Sequence, residues 1–473
     1  MKRILLYSYF LFISAFSLQS QNIELDKDLG EENAKMVESQ MGLYDNKAMT
    51  AYVDALGQKL VSHLETPLFE YQFHIIPEMA PNAFALPGGY IYITTGIIPL
   101  LENEDELACI VGHEIIHSNN RHTIQQIKKS IIPRLLEVPG NLLGVINKDL
   151  GTLFNAPIHM SNSLLFASYS RKFETEADDQ GILLAAAAGY DPYALPHILT
   201  RMSDAIEEAT GYKEEKSYFD DHPYTPNRNS NINKHAEKLT VGPSKEVSDS
   251  FLYEFDGILF GNSPSLGVIQ GNKFLQPDID FIIEFPEDWS IDNQPTNVGA
   301  YHPDRKAAVF LSLEQSGVSP EQAGKKFMEN LDEEYKSHLT DAKTYEHNGK
   351  KGYLISFTQQ SDDVEMYAYV LWLPLKNKVF KLIGITPIEH RDKLEASAAS
   401  LRTLTTEEKS SIKYNFVKVV EARENETIES LSKRTGNKLN LKLVAIINSH
   451  ELDDKLTEGE LLKIVSEKPY FDK

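Results

Sequence analysis

The alternation of apolar and polar positions divides this chain into a first half with helical spacing and a second half rich in strands. Glu32 to His63 carries Tyr52, Leu56 and Leu60 at helical intervals, which predicts a helix. Phe69 to Ile76 alternates with a period of two and predicts a strand. Asn82 to Thr95 holds two β-rich runs around Pro87-Gly88-Gly89, the pattern of a strand, a turn and a second strand. Between Asn103 and His122 the spacing is helical again, with Leu107, Ile110, Val111 and Ile115 forming an apolar stripe. Asn103 is a good N-cap there, and Glu104, Asp105 and Glu106 place negative charge in the first turn. The long stretch 124–168 is apolar in places, but Pro133 and Pro139 interrupt it, and it is too broken for a membrane span. A lid over a site, a membrane-touching loop and plain core packing are all compatible with it. An alanine-rich helix then follows Tyr169 and stops at Gly189-Tyr190-Asp191-Pro192.

Beyond a linker near 229–250 the period changes. Strand-like runs appear at Phe281–Phe285, Ala308–Leu313, Tyr353–Phe357, Met366–Leu373 and Val379–Ile385, with an amphipathic helix near 319–332. Residues 412–468 read as strand, helix, helix, strand. The predicted class is therefore α+β. A mainly helical domain with a β-hairpin (21–235) precedes an α+β domain (250–405) and a small βααβ domain (412–468).

Composition narrows the setting. The 473 residues allow two to four domains, and 69 acidic against 47 basic residues give a net charge of −22. That balance argues against a nucleic-acid surface and favours solubility. Residues 1–20 read as a signal peptide: Lys2 and Arg3, an apolar run from Ile4 to Phe16, then Ser17-Leu18-Gln19-Ser20. The run is shorter than the roughly 20 residues of a membrane span. It contains no cysteine, which excludes a lipoprotein anchor. A periplasmic or secreted protein without a mature transmembrane helix is expected, with membrane contact left open. Cys109 is the sole cysteine, so no intrachain disulfide exists, and it reads as a small buried hydrophobe.

The chemistry concentrates in His113-Glu114-Ile115-Ile116-His117. Residues four apart on a helix share a face, so both imidazoles can reach one ion. Glu114 stands beside them, within reach of a water at the metal without occupying it. Gly112 permits a close backbone approach just before the first histidine. Two histidines on one helix can also be a buried pair bonded to backbone, and a catalytic zinc calls for a third protein ligand. Glu174 and Asp178, again four apart, offer one carboxylate for a metal and another to fix a ligand imidazole; acidic residues in a first turn are also ordinary dipole partners.

His113-Glu114-x-x-His117, followed by Ser170-Arg171-x-x-Glu174-x-Glu176-Ala177-Asp178, resembles the zinc metallopeptidases that include HtpX, Oma-type proteases and CAAX prenyl proteases. The Gly88-Gly89 hairpin and Ala188-Gly189-Tyr190-Asp191-Pro192 look like the same family. The resemblance implies a zincin-type (gluzincin) fold and one Zn²⁺ per subunit, held by His113, His117 and Glu174. It implies Glu114 as general base and Asp178 as a partner of a ligand histidine, with Glu176 only surface charge. Asp221-His222-Pro223 and Arg228 resemble the family's His-Pro element. This makes His222 a candidate to orient the carbonyl, steady the oxyanion or cap the zinc at rest. Arg228, Gly88, Gly89 and Tyr90 are further oxyanion or substrate candidates, the 88–95 strand being expected to pair with an extended peptide. His122, five residues past His117, is expected off the ligand face.

Phe281-x-x-x-Phe285-Pro286-x-x-Trp289 resembles the opening of PsbP-like sandwiches. Residues 412–468 resemble a LysM module, which implies peptidoglycan as a candidate partner; Asn425-Glu426-Thr427 stands where Gly-Asp-Thr is usual. The expected function is an exported zinc metalloendopeptidase acting on unfolded or misassembled envelope proteins in quality control. Two alternatives are a chaperone-like assembly factor with a latent zinc site and a peptidoglycan-associated protein dominated by its tail.

Overall fold

The computed structural model describes residues 23–130, 169–211, 222, 227–240, 250–294, 296–361 and 364–471. The stretch read as a signal peptide, the 131–168 part of the broken apolar stretch and residues 241–249 of the expected linker lie outside these. So do Asp221 and Pro223. Two compact units emerge. The first takes in the described residues up to 130, from 169 to 262 and from 414 to 468; the second takes in 263–413 and 469–471.

The first unit opens with two helices rather than the single one expected from the spacing, α1 (residues 23–41) and α2 (Lys47–Val61). Gly42 adopts left-handed backbone at φ +74°, and Asn46 caps α2 by accepting from the Met49 N–H. A three-stranded sheet follows, with strands β1 (Gln72–Ile76), β2 (Ala83–Leu86) and β3 (Tyr90–Thr94) in the order β1-β3-β2. β2 and β3 form the expected hairpin, antiparallel with Leu86 opposite Tyr90, while β1 pairs with β3 in parallel. Side chains alternate across the sheet. Phe73, Ile75, Ala83, Ala85, Ile91 and Ile93 join the main core with α2, whereas Ile76, Phe84, Leu86 and Tyr92 pack with Ala34 and Val37 of α1.

Through the centre runs α3 (Glu104–Asn119), buried continuously from Glu106 to Ser118. It packs against α5 (Arg171–Ala187), with α4 (His122–Ser130) between them in sequence. Two glycines set how close α3 and α5 come. A Cβ on Gly112 would lie 3.0 Å from the Gly181 carbonyl oxygen, and one on Gly181 would lie 2.9 Å from the His113 nitrogen. Helices α6 (Ala194–Thr210) and α7 (Arg228–Ala236) complete this layer. The C-terminal segment follows the expected order: strand Lys413–Glu421, helices Ile428–Thr435 and Leu441–Ile447, strand Leu461–Pro469. It has a small core of its own, yet Val417 and Ile447 also belong to the main core of the first unit.

Besides a three-stranded sheet of Val268–Gln270, Lys273–Gln276 and Phe281–Glu284, the second unit holds a seven-stranded antiparallel sheet running from Leu339–His347 at one edge to Ser290–Gln294 at the other. Helix Pro320–Glu329 lies on one face, placing Ala323 near Phe357 and Trp372. Phe281, Ile283, Phe380 and Leu394 fill the other. Among the described residues no helix is long and apolar enough to cross a membrane.

Candidate metal centre

Local sequence rules position the donors. Asn103 caps α3 by accepting from the Glu106 N–H, and two further turns bring His113 and His117 to one face. Ser170 caps α5 by accepting from the Phe173 N–H, which places Glu174 and Asp178 in the first two turns, facing α3 across the Gly112–Gly181 contact. His222 arrives from the chain before α7.

One ligand atom from each of His113, His117, Glu174 and His222 lies within 4.8 Å of all the others, and all four residues are buried. His113 Nε2 is 2.9 Å from His117 Nε2 and 3.2 Å from His222 Nδ1. Glu174 Oε1 is 3.3 Å from His117 Nε2 and 3.1 Å from His222 Nδ1. This donor set fits a zinc ion. Nitrogens and a carboxylate oxygen, all dehydrated, point at a common spot where their lone pairs repel unless a cation or shared protons lie between them. Ligand atoms of a tetrahedral zinc stand about 3.3 Å apart, close to these spacings.

The surrounding groups set protonation. Asp178 Oδ1 lies 3.0 Å from His113 Nδ1, which puts that nitrogen's proton on the outside and leaves Nε2 free to ligate. Arg228 donates to both Asp178 oxygens at 2.9 and 2.8 Å, to the His222 carbonyl at 3.2 Å, and lies 3.1 Å from Glu174 Oε2. Burial lowers the pKa of His113 and His117, against the pull of nearby carboxylates, and holds them neutral as ligands must be. Burial would raise Glu174 and Asp178, but the charges of His222 and Arg228 on Glu174, and of Arg228 on Asp178, keep both below the usual carboxylate range. For His222, burial opposes the charge, yet Glu174 and Glu114 outweigh it and lift the imidazole to about 9.

Glu114 is fully buried beside this cluster, with Oε1 3.4 Å from His222 Nε2. His113, Glu114, His117, Glu174, Asp178, His222 and Arg228 therefore meet in one place. Two expectations change. Arg228 is no free oxyanion donor, because its guanidinium faces Asp178, Glu174 and a carbonyl. Nor can the 88–95 strand pair with a peptide: β3 is bonded on both flanks, and Gly88 and Gly89 form a buried turn leading into Tyr90. The sheet's edge beside β3 is β2, which packs on α3 through a Ser118 hydroxyl bond to the Leu86 carbonyl at 3.5 Å.

Two further side chains flank the histidines of α3. His122 Nδ1 lies 3.2 Å from His117 Nδ1, against the ligand's outer nitrogen. It stands outside the four-donor cluster, as its place five residues past His117 implied, and Arg121, at φ +58°, ends α3 just before it. Glu176 approaches it, Oε2 standing 3.8 Å from His122 Nε2. Tyr169 stacks on His117 at 4.0 Å between centroids, its hydroxyl 2.8 Å from Thr123 Oγ1; adjacency to the Ser170 cap was the available signal.

Residues 47–236 match the family model for peptidase family M48. The chain is similar to mitochondrial metalloendopeptidase OMA1 of Schizosaccharomyces pombe, 29% identical over 237 residues, covering 49% of this chain and 66% of that protein. It is also similar to the putative beta-barrel assembly-enhancing protease of Vibrio cholerae, 27% identical over 200 residues, covering 41% of each. In both cases the chain spans less than two thirds of the relative's length. Among solved structures, cyanobacterial PsbP from Synechocystis sp. PCC 6803 aligns with 30% of this chain and 98% of its own, at 12% identity and a TM-score of 0.24. The M48 match and the metalloendopeptidase among the relatives support a metalloprotease.

Asp178→Asn is expected to weaken zinc binding about 10–100-fold, since Asp178 fixes the His113 tautomer. Competition against a chromophoric chelator measures this, and an unchanged dissociation constant would remove Asp178 from the site.

Proposed function

We propose that this chain is an exported zinc-dependent metalloendopeptidase that hydrolyses peptide bonds of envelope proteins in quality control. The convergence of His113, His117 and Glu174 around one point, with Glu114 buried beside it, carries this reading. When bound, zinc supplies a Lewis acid for the scissile carbonyl and lowers the pKa of a water. Glu114 takes the proton from the attacking water and returns it to the leaving amine. Asp178 keeps His113 in its ligating tautomer, and Arg228 balances the charge of Asp178 and Glu174. The resemblance of 1–20 to a signal peptide supports export, and the putative beta-barrel assembly-enhancing protease among the relatives supports the substrate class. The βααβ tail keeps peptidoglycan as a candidate partner.

A latent resting state is the second reading, favoured by the position of His222. Its Nδ1 stands among the donors, so the chain itself fills the fourth place that a catalytic zinc keeps open. His222→Ala is then expected to raise the rate of casein cleavage by the zinc-loaded protein. A fall in kcat at unchanged zinc content would instead assign His222 to transition-state stabilisation.

A further inference from the structure

The C-terminal βααβ segment does more than follow the metal-binding unit in sequence. Lys463, only 4% exposed, donates from Nζ to the Leu101 carbonyl at 2.6 Å, just before the Asn103 cap of α3. Asn448 fixes the Lys463 backbone from both sides, accepting from its N–H and donating to its carbonyl. Next to it, Ser449 Oγ accepts from Arg201 Nε at 3.0 Å. Arg201, on α6, directs its other nitrogens to the same short stretch. These reach the Leu100 carbonyl at 2.7 Å, both oxygens of Glu106 at 2.9 and 2.7 Å, and Glu102 at 2.6 Å. Glu106 in turn accepts from the Glu102 N–H.

The stretch 100–102 that leads into α3 is thus held by the side chains of Arg201 and Lys463, the second supplied by the tail. An alkyl side chain would fill the volume of Lys463 without dehydrating an ammonium. Burial, with Arg201 adding to it, pushes the Lys463 pKa down to about 7 against the pull of Glu102 and Glu106. The bond to Leu101 is what the ammonium adds. From Asn103 the helix runs as one rigid, buried rod to His113, about 15 Å on. Movement of its start is therefore transmitted to the histidines, where a shift of a few tenths of an ångström matters for ligand geometry.

We infer that Lys463, assisted by Ser449 through Arg201, is a positioning residue for the metal centre, so that the C-terminal segment forms part of the catalytic unit. This rests on the metal-site reading above. It assigns the tail a role that requires no glycan.

The test uses the full-length mature chain carrying Lys463→Met, which keeps the stem and removes the ammonium. Lys463→Arg restores a cation, and Ser449→Ala is a milder change should Lys463→Met not fold. Zinc affinity by chelator competition, kcat and KM on a casein peptide, and melting temperature are measured together. Lys463→Met is expected to weaken zinc binding about tenfold, the low end for outer partners of metal ligands. It should lower kcat more than KM changes, with Lys463→Arg recovering part of both and Ser449→Ala shifting them in the same direction. A lower melting temperature with zinc affinity and kcat at wild-type values in both Lys463→Met and Ser449→Ala would overturn the inference and leave a purely structural contact. A wild type that binds no zinc would instead overturn the underlying metal-site reading.

Discussion

Replacing Glu114 with glutamine is expected to leave zinc bound and to lower peptide cleavage by about a hundred- to ten-thousand-fold, the range for loss of a general base. The substitution keeps shape and burial in a position with no exposed surface, while the amide cannot take a proton from water. Glu114 is not among the four converging donors, so metal affinity should stay near that of the wild type. The measurement is kcat on a fluorogenic peptide beside zinc content by mass spectrometry of the same samples. Retained cleavage at full zinc occupancy would remove Glu114 from the mechanism.

Glu174→Ala should act on the metal itself. It deletes the one carboxylate in the donor cluster and leaves two histidines of α3 with His222 to hold the ion. Zinc content is expected to fall from about one per chain to near zero after gel filtration, because the site loses its third protein ligand and the carboxylate of its donor cluster. The apo protein should also lose stability. Arg228, 5% exposed, keeps Asp178 but loses a second carboxylate, and breaking a buried ion pair costs up to about 3–5 kcal/mol. Glu174→Gln separates the two effects, since it preserves volume and one acceptor oxygen. Full zinc retention by Glu174→Ala would mean that the third ligand lies elsewhere.

How far these residues were legible in the sequence depended on whether their geometry is local. His113 and His117, and likewise Glu174 and Asp178, lie four apart, and the Asn103 and Ser170 caps place them on their helices by rules that operate within a turn. The hairpin at Pro87-Gly88-Gly89 was equally local. The joining of the two pairs was read from resemblance, and in the structure Gly112 and Gly181 make it physically possible. What periodicity could not report was pairing at long range. The parallel docking of β1 against β3 turned an expected substrate edge into the middle of a sheet. The Arg228 guanidinium turned towards carboxylates fifty residues upstream. Lys463 reached Leu101 across 362 positions, drawing a tail read as a separate domain into the first unit. His122 stays outside the donor cluster, as its spacing implied, but its contact with His117 depends on one left-handed residue, Arg121, that ends α3 before it.

The most direct test of the central claim follows casein cleavage by one preparation of the protein through three states. These are zinc-loaded, stripped with 1,10-phenanthroline, and dialysed and restored with about one equivalent of zinc, with His222→Ala run in parallel to open any latent site. The account predicts cleavage in the loaded state, its loss on stripping and its return with zinc, in the wild type or, if the resting state is closed, in His222→Ala. Cleavage that survives complete zinc removal, or zinc-loaded protein that cuts nothing in either form, would contradict it.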